Sequence, residues 1–250
     1  MQLAGRTILL TGGGSGIGRE LAMQLANKGN SILICGRRLE ALEETATASS
    51  DIHPYRCDLT STDDIQGMLD AIERDGHRVD TLISNAAIFA FQSLSGNLDL
   101  GVAKQIVDAN LSAPIELTQR LLERLRAAAD PTIVMVGSPA GLGPLAEPPI
   151  YSSSKAGLHV YTLCLRHHLD GEVRVIEVFP PTVDTPMLAE KKWKKKMSSE
   201  ECARRMLHGI EREQEEIWIG ESQMFRLLRL VLSPRRLFRV INDYVPPEYE

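Results

Sequence analysis

Cysteine is scarce and scattered in this chain: Cys35, Cys57, Cys164 and Cys202 form no C-x-x-C pair, and no nearby histidine spacing suits zinc. A disulfide framework and a zinc module are therefore excluded, and no metal is expected. No uninterrupted apolar run approaches the ~20 residues that a membrane-spanning helix needs. Positive charge is not in excess either; the formal net charge of -5 argues against a general nucleic-acid binder. Internal repeats, low-complexity tracts and linkers are missing. The chain enters an apolar run at Arg6, so no signal peptide is expected. These absences point to a reduced, cytoplasmic protein whose 250 residues form one domain over 1–250.

What is present is an alternation. Arg6 to Thr11, Ser31 to Cys35, His53 to Cys57, Val79 to Ile83, Thr132 to Val136, Val173 to Phe179 and a short Ile217 to Ile219 are apolar runs. Each reads as a strand, and the longer ones as strands buried on both faces of a parallel sheet. Helical patterns lie between them, one from Ser61 to Arg74 with Thr60 or Ser61 as its cap. Residues 98 to 128 read as one long helix with Asn110 inside it and a possible kink at Pro114. The expected fold is α/β: a single doubly wound parallel sheet of about seven strands, Rossmann-type, with helices on both faces. A small lid segment (186–208) and a helical C-terminal tail (221–250) complete it. In such sheets ligands sit beyond the carboxyl ends of the strands.

Two stretches at those ends carry chemistry. Gly12-Gly13-Gly14-Ser15-Gly16-Ile17-Gly18 follows the first strand and opens a helix. Glycines let the backbone take positive φ and approach a ligand closely, and a helix N-terminus offers free N–H groups to a pyrophosphate. Tyr151-Ser152-Ser153-Ser154-Lys155 places a phenol and an ammonium on one helix face. An ammonium ~4 Å from a phenolate stabilises it by ~4 kcal/mol at an effective dielectric of ~20. That corresponds to roughly three pKa units, enough to bring a tyrosine into working range at neutral pH.

Together these residues resemble the short-chain dehydrogenase/reductase family, in its NAD(P)-dependent form of about this length. The resemblance is specific over about Leu3 to Met187 and looser beyond. Thr11-Gly12-x-x-x-Gly16-Ile17-Gly18 is similar to the family's cofactor fingerprint, which also takes in Gly14 and Ser15. Asp58 matches its adenine-binding acid, followed here by Leu59, and Asn85-Ala86-Ala87 matches its Asn-Ala-Gly turn with Ala87 replacing glycine. Asn110, Ser138, Tyr151 and Lys155 match its catalytic tetrad. Pro180-Pro181-Thr182-Val183-Asp184-Thr185 matches its Pro-Gly turn, with Pro181 in place of glycine. The resemblance implies hydride transfer between a nicotinamide and a small carbonyl or secondary-alcohol substrate. Tyr151 is then the general acid or base, Ser138 a second donor to the substrate oxygen, and Lys155 the partner of Tyr151 and of the nicotinamide ribose. Asn110 is implied to kink its helix and hold a water leading to Lys155. Pro180, Val183 and Thr185 are implied to face the nicotinamide.

The second strand is followed by Gly36, Arg37 and Arg38 where an NAD enzyme would carry an acid. Two guanidiniums suit a 2′-phosphate, so NADP(H) is expected over NAD(H). Three function classes stay in view: a carbonyl reductase or alcohol dehydrogenase, a lyase or epimerase on the same fold, and a non-catalytic nucleotide-sensing or scaffold protein. Self-association to a homodimer or homotetramer is expected through the helices of Asn110 and Tyr151, burying outward residues such as Leu117 and Leu163. The lysine run from Lys191 to Lys196 around Trp193 reads as a solvated lid helix or a site for an anionic partner. From Gln223 to Ile241 the tail alternates apolar residues with five arginines and is split at Pro234. It suits a subunit contact, peripheral contact with an anionic membrane surface, or a cover for the substrate cleft.

Overall fold

The computed structural model of the protein describes residues 3–94, 96, 98–188 and 196–244. The lysine run lies outside the described residues except for Lys196. In chain order the main elements begin β1 Thr7–Thr11, α1 Gly16–Ala26, β2 Ser31–Gly36, α2 Leu39–Ala46, β3 Ile52–Arg56 and α3 Thr62–Arg74. They continue β4 Thr81–Ser84, α4 Leu100–Val107, α5 Ala113–Arg126, β5 Thr132–Val136, α6 Pro149–His168 and β6 Arg174–Phe179. The last third adds β7 Val183–Asp184, β8 Met197–Ser198, α7 Ser199–Glu211, β9 Glu216–Trp218, α8 Ser222–Val231 and α9 Pro234–Tyr244. Seven strands form one parallel sheet in the order β3-β2-β1-β4-β5-β6-β9, and the helices cover both faces. The Rossmann-type expectation holds. A two-stranded ladder of β7 and β8 was not anticipated from the sequence.

The strands are buried because both faces are covered. All of Thr132 to Val136 is buried, as a central parallel strand requires. On one face β1, β2 and β6 pack with α1 and α7 through residues such as Leu10, Ile34, Leu21 and Met206. On the other face Leu9, Leu33, Met135 and Val175 pack against Ile65 and Met68 of α3, Leu121 of α5 and Leu158 of α6. Leu117 belongs to this second cluster and is fully buried. It therefore faces the sheet and not a partner, which corrects the expectation for that residue; Leu163 is exposed. Between α4 and α5 the helix takes a π turn over Asp108–Ser112, so the long helical stretch expected over residues 98 to 128 runs without a break from Leu100 to Arg126 with a bulge at Asn110. A π-bulge is a common device at functional positions. Ser61 is the cap of α3, accepting from the Asp64 N–H at 3.2 Å.

Chain order fixes where a site can form. From β1 the connections run outward to β2 and β3, and from β4 outward the other way, so β1 and β4 mark the switch point. Beneath it, Asn30 ties the sheet to α1. Its side chain accepts from the Arg6 N–H at 3.0 Å and donates to the carbonyls of Leu3 at 3.2 Å and Leu25 at 2.8 Å. These three bonds satisfy backbone groups at the start of β1 and the end of α1, and Asn30 is buried. Replacing Asn30 with alanine removes all three bonds, although the Leu25 carbonyl keeps the Lys28 N–H at 3.1 Å, and is expected to cost about 1–3 kcal/mol; denaturant unfolding of the variant beside the parent measures it.

Candidate active site

The site begins with a staple across the switch point. Thr11 Oγ1 accepts from the N–H groups of Asn85 and Ala86, each at 2.9 Å, and Asn85 Nδ2 donates to the Thr11 carbonyl at 2.9 Å. This fixes the ends of β1 and β4 against each other. The glycine loop is then threaded between them. A Cβ at Gly18 would stand 2.1 Å from the Gly12 carbonyl oxygen and 2.7 Å from Asn85 Nδ2, so no side chain fits. Gly16 has φ +53, a backbone region that favours glycine. Ser15, at the N-cap of α1, is extended and makes no side-chain cap bond, so the N–H groups of the first turn remain available to a ligand.

A cleft of about 600 Å³ runs along these strand ends. Every residue expected at a cofactor lines it: Gly12, Gly14, Ser15, Gly16, Ile17, Gly18, Arg37, Arg38, Asp58, Leu59, Asn85, Ala86, Ala87, Tyr151, Lys155, Pro180, Val183 and Thr185. Arg37 and Arg38 are exposed at one end. Burial pulls the Asp58 carboxyl up, but bonds from the Thr60 N–H and hydroxyl and the charges of Arg37 and Arg56 outweigh it, so its pKa is lowered. The two departures from the family pattern are accommodated. Among the described residues only Glu213 is a non-glycine with positive φ, so Ala87 and Pro181 occupy ordinary backbone.

Tyr151 and Lys155 stand one turn apart on α6, at the other end of the cleft. The Phe89 ring meets Tyr151 edge-on at 5.0 Å between centroids. Burial raises the Tyr151 pKa, and a hydrogen bond with the Ser138 side chain opposes it. The expectation that Lys155 brings this phenol down by three units is therefore corrected. Desolvation wins, and Lys155 Nζ donates instead to the Val136 carbonyl at 2.8 Å. Lys155 itself is 3 % exposed, and burial pulls its ammonium down to about 8 against the pull of Glu177. Asn110 stands behind this pair. Its Oδ1 accepts from the Ile88 N–H at 2.7 Å, and its Nδ2 donates to the Ile88 carbonyl at 2.9 Å and to Ser154 Oγ at 3.1 Å. The side chain is thus a strut between the loop after β4 and α6. Sequence reasoning missed Phe89, the staple made by Thr11, and Glu177; the last had a signal, a lone carboxylate between Ile176 and Val178 in a largely apolar strand.

The short chain dehydrogenase family model matches residues 6–196. The chain belongs to that family. An uncharacterized oxidoreductase, DltE, of Bacillus subtilis (strain 168) is 33% identical over 224 residues, covering 87% of this chain and 89% of the relative. A sulfoacetaldehyde reductase of Chromohalobacter salexigens is 32% identical, covering 71% of this chain and 73% of that one. A solved short chain dehydrogenase from Burkholderia cenocepacia J2315, in complex with NADP, superposes with a TM-score of 0.85 at 22% identity, covering 99% and 100% of the two chains. Another from Burkholderia phymatum, in complex with NAD, has the same TM-score at 20% identity and 99% coverage of both. Like its family, the chain is an NAD(P)-dependent oxidoreductase acting on CH–OH or C=O groups. The glycine cradle at Gly18, the free N–H groups behind Ser15 and the length of the cleft fit such a dinucleotide.

Proposed function

We propose that the protein is an NADP(H)-dependent carbonyl reductase or alcohol dehydrogenase in which Tyr151 moves the proton. One observation carries this reading: Tyr151 and Lys155 line the same cleft as the glycine loop and the open end of α1. A bound nicotinamide supplies the hydride to the carbonyl carbon, or takes it in the reverse direction. The Tyr151 hydroxyl then donates its proton to the substrate oxygen, or removes one in oxidation. A phenol with a raised pKa stays protonated at neutral pH, which suits the donor role in reduction. The Ser138 hydroxyl gives a second hydrogen bond to that oxygen, in the manner of an oxyanion hole. Lys155 holds the nicotinamide ribose and presents positive charge beside the reacting oxygen, while Asn110 props α6 through Ser154.

The remaining cleft residues divide along its length. Gly12, Gly14, Ser15, Gly16, Ile17 and Gly18 cradle the pyrophosphate; Asp58 and Leu59 hold the adenine; Asn85, Ala86 and Ala87 flank its ribose; Pro180, Val183 and Thr185 face the carboxamide. Arg37 and Arg38 meet the 2′-phosphate. Their exposure, the missing acid at Gly36 and an NADP-dependent 3-hydroxy acid dehydrogenase of Schizosaccharomyces pombe at 27% identity support this. Carbonyl chemistry is supported by the Chromohalobacter reductase and by a 3-oxoacyl-[acyl-carrier-protein] reductase of Pseudomonas aeruginosa, 32% identical. Self-association through the outward faces of α5 and α6 remains part of this reading, supported by the exposed Ile115, Val160 and Leu163.

For the tail, we favour the cover reading, which its contacts with the loop before Tyr151 support. Asn242 Oδ1 accepts from the Ala146 N–H at 2.6 Å and its Nδ2 donates to the Pro144 carbonyl at 3.0 Å. Ile241 and Phe225 close over Gly143, so α8 and α9 roof the loop between Ser138 and Tyr151. The Ser93 hydroxyl bonds the Glu147 carboxylate and holds that loop from its other side. Among the described residues no helix is long and apolar enough to cross a membrane.

Tyr151→Phe is expected to lower turnover by at least a hundredfold while leaving NADPH affinity within a few-fold. In the parent, carbonyl reduction should hold at neutral pH and decline as pH rises through about 8, where Lys155 loses its proton. Steady-state rates between pH 6 and 10 check both. NADPH should bind at least tenfold more tightly than NADH, and Gly36→Asp with Arg37→Ala should erase or invert that ratio. Fluorescence titration of each cofactor reads it directly.

A further inference from the structure

β6 reads Arg-Val-Ile-Glu-Val-Phe, and Glu177 lies in the buried part of that strand with 0 % exposure. By strand alternation its side chain shares a face with Val175 and Phe179, the face that α6 covers. Glu177 Oε2 stands 2.8 Å from His159 Nδ1. Its other oxygen, Oε1, has no hydrogen-bond partner and packs at Gly137, where an added Cβ would stand 2.7 Å from it. Gly137 lines the cleft. Tyr151, Lys155 and His159 follow one another at single-turn spacing along α6, so the carboxylate backs the file that carries the proposed chemistry.

A carboxylate withdrawn from water is costly unless a cation compensates it. On α6 the cationic candidates are Lys155 and His159; β5, Thr132–Val136, contributes no charged side chain. On β9 the register partner is Glu216, itself acidic, which accepts from Trp218 Nε1 at 2.9 Å and pairs with Arg229 of α8. At the far end of β6, Arg174 pairs with Glu213 and Asp130. Arg166, lower on α6, donates to the carbonyls of Val175 and Glu215.

We propose that Glu177 is a positioning residue of the Tyr151–Lys155 site: held 2.8 Å from His159, one turn along α6 from Lys155, and with its other oxygen against Gly137, next to the Val136 carbonyl that Lys155 bonds, its buried carboxylate is the counter-charge of the Lys155 ammonium from behind the cleft. This rests on the role given to Lys155 above. The direct partner of Lys155 Nζ is a neutral carbonyl, that of Val136, which aims the group without matching its charge. Burial pulls the ammonium down to about 8, and Glu177 is the charge that opposes this pull. Without the carboxylate the midpoint moves further down, and Lys155 becomes a neutral amine in the range where the enzyme works.

The test uses the full chain with ¹³C-labelled lysine, the Lys155 signal being assigned by its loss in Lys155→Arg. In Glu177→Gln, which keeps size and hydrogen-bonding ability, the Lys155 midpoint should fall by on the order of one pH unit. The alkaline limb of carbonyl reduction should move down with it, and NADPH affinity at pH 6, where Lys155 is charged in both proteins, should stay within twofold. If that variant does not fold, Glu177→Leu/His159→Leu replaces the pair with apolar side chains, a change that buried ion pairs often tolerate, and the same fall is expected. An unmoved Lys155 midpoint overturns the proposal, as does a uniform loss of rate at every pH with the limb in place. Should Tyr151→Phe retain its rate while the midpoint still falls in Glu177→Gln, the catalytic reading is wrong and the electrostatic one stands.

Discussion

The approach of α1 to the Gly12 carbonyl is the contact on which the rest of the site depends. At Gly18 a single methyl group would occupy the space of that oxygen, 2.1 Å away, and would crowd the Asn85 amide as well. Because the helix can enter so closely, its first turn sits over the switch point between β1 and β4 with its N–H groups free. The staple from Thr11 to Asn85 and Ala86 holds the same point from the sheet side. Backbone groups that bind anions are useful only if they are rigid and unsatisfied within the protein, and both conditions are met here.

At the other end of the cleft burial dominates. Desolvation lifts the Tyr151 phenol and lowers the Lys155 ammonium, so each is pushed toward its neutral form. A neutral phenol is a competent proton donor, whereas a neutral lysine has lost the charge that a developing oxyanion needs. The two shifts therefore have opposite consequences for reduction. The carboxylate of Glu177, buried on the face of β6 that α6 covers, acts on the one that matters and in the direction that restores it.

Much of this was legible in the sequence because it repeats. Strands buried on both faces read as apolar runs, and the turns after them deliver Gly12, Arg37, Asp58, Asn85 and Ser138 in order. What stayed hidden consists of single side chains reaching across long separations. Asn30 bonds Arg6 across 24 residues and Thr11 meets Asn85 across 74, and neither leaves a periodic trace. Leu117 shows the limit of periodicity: it shares a stripe with Leu121 and Leu125, and the pattern alone does not say which stripe meets the sheet. Charge misled for a different reason. Spacing placed Lys155 one turn from Tyr151 but did not show the burial that raises the phenol against its bond with Ser138. In the tail the amphipathic halves were evident, but not that Leu237 and Ile241 would turn inward while Leu227 and Leu230 remain 66% and 72% exposed.

One cleft joins the open end of α1 to Tyr151 and Lys155. A crystal structure of the protein grown with NADP⁺ tests it most directly. The pyrophosphate is expected on the N–H groups of the Gly14–Ile17 segment, the 2′-phosphate against Arg37 or Arg38, and the nicotinamide ribose within hydrogen-bonding reach of Lys155. A nucleotide seated elsewhere, or one in this cleft with its nicotinamide turned away from Tyr151, would contradict it.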